Sequence, residues 1–223
     1  MSRDGTVGPS RLLDAIINPG ERLLEWAWRR GRDGLPLRDL DRRRSGVNVH
    51  RAAEILADGG RPRPELAPAD ERHPTRALVD WWDRARPEVV ARELRIVNPD
   101  LGMNGVIDLV VGCRGCPACT LRAQSGPDGE LGVWIIDWKV VAHTGVTCKE
   151  KWHFQAGACY RALWDGQGGP RRSCGACVVM LPRAEGEQAV TVVADAEPAH
   201  AWAAAEWHRC LAQLRARNGM SAG

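Results

Sequence analysis

Three short runs rich in valine and isoleucine, 93–97, 106–111 and 133–141, crowd the middle of a chain whose flanks carry helical periodicity. Each run is bounded by Gly, Pro, Asn or Asp, as strands are. Their closeness in sequence allows an antiparallel meander, because antiparallel neighbours need only short connections. A helical stretch over 150–163 and a fourth run at 176–181 come next. A crossover helix lays the fourth strand parallel to the third. A fifth run, 189–194, is placed to pair with the fourth. The order predicts an α/β sandwich built on an α-β-β-β-α-β core, with a mixed central sheet flanked by helices.

The flanks divide the chain into three parts. Residues 1–44 form an N-terminal helical segment, in which 11–30 read as two short helices broken at Pro19-Gly20. Residues 45–195 hold the core, opening with a helix over 45–58. Ser45 is placed to cap it, and Val49, Ala52, Ala53 and Leu56 form its apolar stripe. A Pro-rich linker over 61–70 leads to a second helix, 75–91, marked by Ala77, Leu78, Trp81 and Trp82. Residues 196–223 form a C-terminal helix and tail, with Trp202, Ala205, Leu211 and Leu214 facing the core.

Composition narrows the function. The formal charge of +3 is too small to announce nucleic-acid binding by itself, so any such contact must come from local patches. No run of 18 apolar residues occurs and Met1–Ser10 lacks the apolar stretch of a signal peptide. The expectation is a cytoplasmic protein, bacterial or phage-encoded, with no membrane partner. Arginine is abundant while lysine occurs only as Lys139, Lys149 and Lys151, and the single Phe and Tyr, Phe154 and Tyr160, fall beside them. A sequence that writes arginine wherever charge alone suffices marks with lysine the place where an ammonium is needed.

Two of the strands carry a carboxylate in an otherwise apolar run: Gly105-Val106-Ile107-Asp108 and Ile135-Ile136-Asp137-Trp138-Lys139. A buried charge of that kind has to be paired or metal-bound. Asp137 and Lys139, two residues apart, share a face of the strand. If the two strands pair, Asp108 converges on Asp137 beside the Lys139 ammonium. Two carboxylates and a strand carbonyl suit a hard cation such as Mg2+ (or Mn2+) that completes its shell with water and phosphate. Lys139 is then placed to orient the attacking water. Lys149 and Lys151, in the loop leaving the third strand, are placed to touch phosphates.

The series as a whole resembles the PD-(D/E)XK nuclease superfamily and, within it, the RecB-like exonucleases. The motifs occur in order as Gly46 to His50, Glu93, Gly105 to Asp108, Asp137-Trp138-Lys139, and Gln155 with Tyr160, over roughly residues 45–182. The resemblance implies a restriction-endonuclease-like fold and a Mg-dependent deoxyribonuclease. It makes Asp108, Asp137, the Trp138 carbonyl and His50 metal ligands, Lys139 catalytic, and Glu93 a ligand or the residue that orients a ligand water. Gln155 and Tyr160 would line the site or contact DNA. One departure stands out: the resemblance spaces Gln and Tyr four apart, where this chain has Cys159. Regular helical spacing turns Tyr160 away from Gln155.

Eight cysteines in a cytoplasmic chain do not read as a disulfide framework. Cys113, Cys116 and Cys119 fall in an insertion, 112–132, that lengthens the hairpin between the second and third strands. Cys174 and Cys177 open the fourth. Both spacings are those of metal knuckles, and four of the five would make a structural Zn2+ site, with an iron–sulfur cluster as the alternative. The topology brings them to one end of the sheet, roughly 17 Å from Asp108. The expected function is a DNA exonuclease, a possible partner of a helicase or recombination protein. The rivals are a structure-selective endonuclease of the same fold and a non-catalytic nucleic-acid-binding module with a zinc site.

Overall fold

Val49, Ala52, Ala53 and Leu56, the apolar stripe expected of the first helix, are all buried. That helix, α1, runs Leu40–Ala57 and packs with α2 (Ala69–Ala85) on one face of a sheet. The computed structural model describes residues 40–112, 132–168 and 171–217. The helical segment expected at 11–30 and the cysteines 113, 116 and 119 of the insertion lie outside them.

The sheet has five strands in the order β1 (Glu88–Asn98), β2 (Met103–Gly112), β3 (Val133–Val141), β4 (Ser173–Pro182) and β5 (Val190–Val193). The first three form the antiparallel meander, β4 joins β3 in parallel, and β5 closes the edge antiparallel to β4. On the second face lie α3 and α4 (Pro198–Arg217). Helix α3 starts as Glu150–His153, widens to a π-helix over Phe154–Tyr160, and returns to α geometry over Arg161–Asp165. The chain is thus an α/β protein with a mixed sheet between two helical layers. Each layer has its own core, and every fully buried Ile, Leu or Val in them is worth about 1.5–3 kcal/mol. Among the described residues no helix is long and apolar enough to cross a membrane.

Several boundaries and one packing expectation differ from those read in the sequence. Helix α1 begins before Ser45, which is therefore inside the helix and not its cap. Helix α2 spans 69–85 instead of 75–91. Arg86 takes a left-handed turn at φ 43° just before Pro87, and proline disfavours α geometry in the residue ahead of it. Strand β4 starts at Ser173, three residues ahead of expectation, so Cys174 lies within the strand together with Cys177. Trp202, expected to pack on the core, is 44% exposed, while Ala205 is buried.

Two irregularities shape the sheet. The β2–β3 ladder stops at Leu109–Ile136, although β1 and β2 stay paired as far as Asn98–Met103. The two strands of the meander therefore part at the position of Asp108 and Asp137, which would be the next pair. At the same level in β1, Glu93 has a positive φ of 41°. A glutamate there costs about 1–3 kcal/mol relative to extended backbone, and such strain persists where the surroundings demand it.

Candidate active site

The parting of β2 from β3 leaves the backbone N–H of Trp138 without a strand partner, and the Asp108 carboxylate takes that place: Trp138 N donates to Asp108 Oδ2 at 2.9 Å. In an extended strand the N–H and C=O of one residue point to the same side, so the Trp138 carbonyl also faces the gap. From the strained turn of β1, Glu93 reaches His50 on α1, its Oε1 3.0 Å from Nδ1. The same nitrogen is 3.6 Å from Asp108 Oδ1. One ligand atom from each of His50, Glu93 and Asp108 falls within 4.8 Å of the others, the compact cluster of metal-type donors among the described residues.

Asp137 is 1% exposed and grips Lys139, its neighbour on the same strand face, with Nζ 2.9 Å from Oδ1 and 2.7 Å from Oδ2. Oδ1 accepts a hydrogen bond from the ammonium; Oδ2 is in ion-pair contact with it and accepts no hydrogen bond. The resemblance makes His50, Asp108, Asp137 and the Trp138 carbonyl ligands, with Glu93 a ligand or the residue that orients a ligand water. The structure draws Asp108 into a cluster with His50 and Glu93 and gives Asp137 to Lys139.

The electrostatics follow from burial. Burial and then the neighbouring charge of Asp137 push Asp108 up to about 7, against the partial relief of His50 and Lys139. Asp137 is raised as well, by burial, with Lys139 and His50 opposing. For His50, burial works to lower the pKa, but the Glu93 hydrogen bond and the charges of Asp108 and Glu93 together outweigh it and raise it. This is a site with more buried carboxylate than cation to balance it.

Tyr160 resolves the spacing question. In the π-helix, positions five apart come onto one side, and Gln155 Nε2 donates to Tyr160 Oη at 2.6 Å. Tyr160 is buried close enough to Asp137 and Asp108 that, after burial itself, their charges help hold its hydroxyl far above the usual phenol range. The expectation from regular helical spacing, that Tyr160 faces elsewhere, is overturned by the wider turn. Cys159, in the place the resemblance gives to tyrosine, is fully buried in the core.

Lys149 and Lys151 are exposed at the start of α3. The Lys149 ammonium stands 5.2 Å over the ring of Trp152, a contact that sequence reasoning passed over although Trp152 lies next to the rare lysines. The loop leaving β3 is tied down by Glu187, whose carboxylate accepts from both N and Oγ1 of Thr144, at 2.5 and 2.7 Å. No local signal foretells that pair, since 43 residues separate its members.

At the far end of the sheet, Cys174 packs so closely on Gly132 that a Cβ there would overlap its Sγ. Cys177 is fully buried in the layer beneath α1 and α2. Three residues of extended chain put their Cα atoms about 10 Å apart, too far for both thiolates to bind one tetrahedral ion. Cys174 stands at the base of the insertion and Cys177 does not. Compared with known proteins, the sequence matches no family model and no curated protein.

Proposed function

We propose that this chain is a metal-dependent nuclease that hydrolyses DNA phosphodiester bonds, a RecB-like exonuclease of the PD-(D/E)XK superfamily with a restriction-endonuclease-like core. One observation carries the reading: donors from His50, Glu93 and Asp108 meet within 4.8 Å where β2 and β3 part, beside the Asp137–Lys139 pair. The element order and the parallel β3–β4 pairing support the finer fold assignment.

The donor set fits a divalent cation. Asp108, raised to about 7, and Asp137 Oδ2, without a directed hydrogen bond, are what carboxylates look like when placed for a cation. His50, Glu93, Asp108, Asp137 and the Trp138 carbonyl would hold it. Oxygen donors suit Mg2+ or Mn2+, and the imidazole tilts the set toward Mn2+. Such an ion, when bound, would supply charge to polarise a scissile phosphate and to lower the pKa of a bound water. Lys139, fixed by Asp137, holds an ammonium where it orients that water and meets charge developing on phosphorus. Gln155 and Tyr160 form a hydrogen-bonded wall beside the carboxylates. Lys149, steadied on Trp152, and Lys151 bind phosphates at the approach. The cysteine-bound metal expected from the sequence, zinc before an iron–sulfur cluster, would draw on Cys174 at the base of the insertion, with Cys177 left out by its place in β4.

The test is incubation of the purified protein with end-labelled linear single-stranded and duplex DNA in Mg2+, Mn2+ or EDTA. Cleavage in either metal and none in EDTA is expected. Binding without cleavage in any metal would reduce the chain to a nucleic-acid-binding module.

A further inference from the structure

Beyond Leu109 and Ile136, β1 and β2 continue without β3 as a two-stranded ribbon. One face of the ribbon, with Leu94, Ile96, Met103 and Ile107, lies against the core under α3 and α4. Its other face carries Arg95, Val97 and Val106. Arg95 pairs directly with Val106, and Val97 is two residues along, so the three side chains share one side. Arg95 is exposed, and the valines are 44% and 41% exposed although they sit on paired strands. That side is the one on which α1 lies, and α1 leaves the three uncovered. The patch begins two residues from Glu93, at the border of the His50–Glu93–Asp108 cluster.

We propose that this ribbon face is a docking track for a single DNA strand running into the metal cluster, a specificity device that rests on the nuclease reading above. The chemistry selects the occupant. An arginine with no charged partner among the described residues offers a phosphate a bidentate contact. Two β-branched side chains give an apolar shelf for van der Waals contact with sugars and with base faces that a duplex keeps stacked inside. A strand of nucleic acid is also the ligand that must reach the adjoining carboxylates, so the track continues the site. The edge of β1 is less open to another protein's strand, because the register shift between Val89 and Ala91 and the positive φ of Glu93 break the straight ladder such pairing needs.

Fluorescence anisotropy of the full chain in EDTA, with a labelled oligothymidylate and with a labelled duplex of equal length, tests this without any chemistry. Arg95→Ala is expected to weaken oligothymidylate binding about 3- to 10-fold and to reduce its salt slope by about 0.7, one phosphate contact on a single strand. Arg95→Lys should recover part of the affinity. Val97→Thr with Val106→Thr keeps β-branched shape and should weaken the single strand more than the duplex. Equal weakening of both DNAs, or an unchanged single-strand affinity in Arg95→Ala, overturns the track. So does a change of oligomeric state in the valine variants with DNA affinity intact, which would assign the face to a second copy of the chain. If the parent binds oligothymidylate through this face but cuts no DNA in Mn2+, the track stands and the nuclease reading falls. If it cuts DNA and the Arg95 variants bind as the parent does, the reverse holds.

Discussion

Asp108 and Asp137 stand opposite each other where β2 and β3 part, both nearly closed to solvent, yet they are held in different ways. Asp137 has its own cation, Lys139, 2.7 Å away on the same strand. Asp108 has a backbone N–H, a shared imidazole and a second carboxylate, Glu93, across that imidazole. One half of the site is neutral as folded, and the other is short of positive charge. On the proposed nuclease reading, the half that is short would take the ion and the paired half would keep an ammonium in place.

Removing each carboxylate breaks this comparison most strongly. Asp108→Asn and Asp137→Asn should each reduce cleavage by about 100-fold or more, the scale on which metal-site charge stabilises a transition state. Their effects on the metal-free fold should have opposite signs. Asparagine at 108 still accepts from Trp138 N while shedding a buried charge, so the melting temperature rises. At 137 it leaves the Lys139 ammonium uncompensated, and the melting temperature falls. Calorimetry in EDTA reads both, about 1 kcal/mol moving the midpoint by roughly 2–4 °C in a chain of this length. A fall in both variants would show that Asp108 is as well satisfied as Asp137. Lys139→Ala should match the activity loss of the aspartates, and His50→Ala should raise the Mn2+ concentration needed without unfolding the protein.

Acidity sharpens the contrast. Folded Asp108 keeps a proton up to about 7 that the unfolded chain releases near 3.8. Between those values the folded state binds more protons, so metal-free stability falls as pH rises. A cation needs the ionised form, so Mn2+ affinity measured by titration calorimetry should climb over the same interval. Asp108→Asn should flatten the stability slope.

A smaller effect is expected at the other end of the sheet. Metal analysis of protein purified without added metal should find about one zinc per chain. Cys174→Ser should lower the zinc content and the melting temperature, and Cys177→Ser should leave the zinc in place. Loss of zinc in both variants would restore Cys177 to the ligand set. The smallest change belongs to the approach: Lys149→Ala with Lys151→Ala should leave cleavage of saturating DNA intact and flatten the salt dependence of duplex binding by up to about two counterions.

The order of elements was legible because each signal was local. Strand β3 was read at 133–141, its observed span, and the buried stripe of α1 was read residue by residue. What escaped depended on the register of distant segments. The bend of β1 at Glu93 leaves no mark in the alternation of Arg92, Glu93 and Leu94, and the start of β4 was hidden by small residues, Ser173 and Gly175, that carry little strand signal. The sequence names His50, Glu93, Asp108, Asp137 and Lys139, which the structure brings together, but it does not say which of them touch. Nothing in the sequence says whether Asp108 turns to Asp137 or to His50, and that depends on where the β2–β3 ladder stops.

The wide turn of α3 has a consequence for how such a chain tolerates change in length. One residue inserted into a regular α-helix rotates everything after it by about 100°, which would swing Leu163 out of the core or Gln155 out of the site. Here both ends of α3 keep their bearings: Trp152 packs before the wide turn, Phe154 at its first residue, and Ala162 and Leu163 after it, on the same core. Gly157 lets the swollen coil lie flat against the chain at Ala196, where a Cβ would strike the carbonyl oxygen. Angular position along α3, and not the count of residues between Gln155 and Tyr160, thus decides whether the two side chains meet.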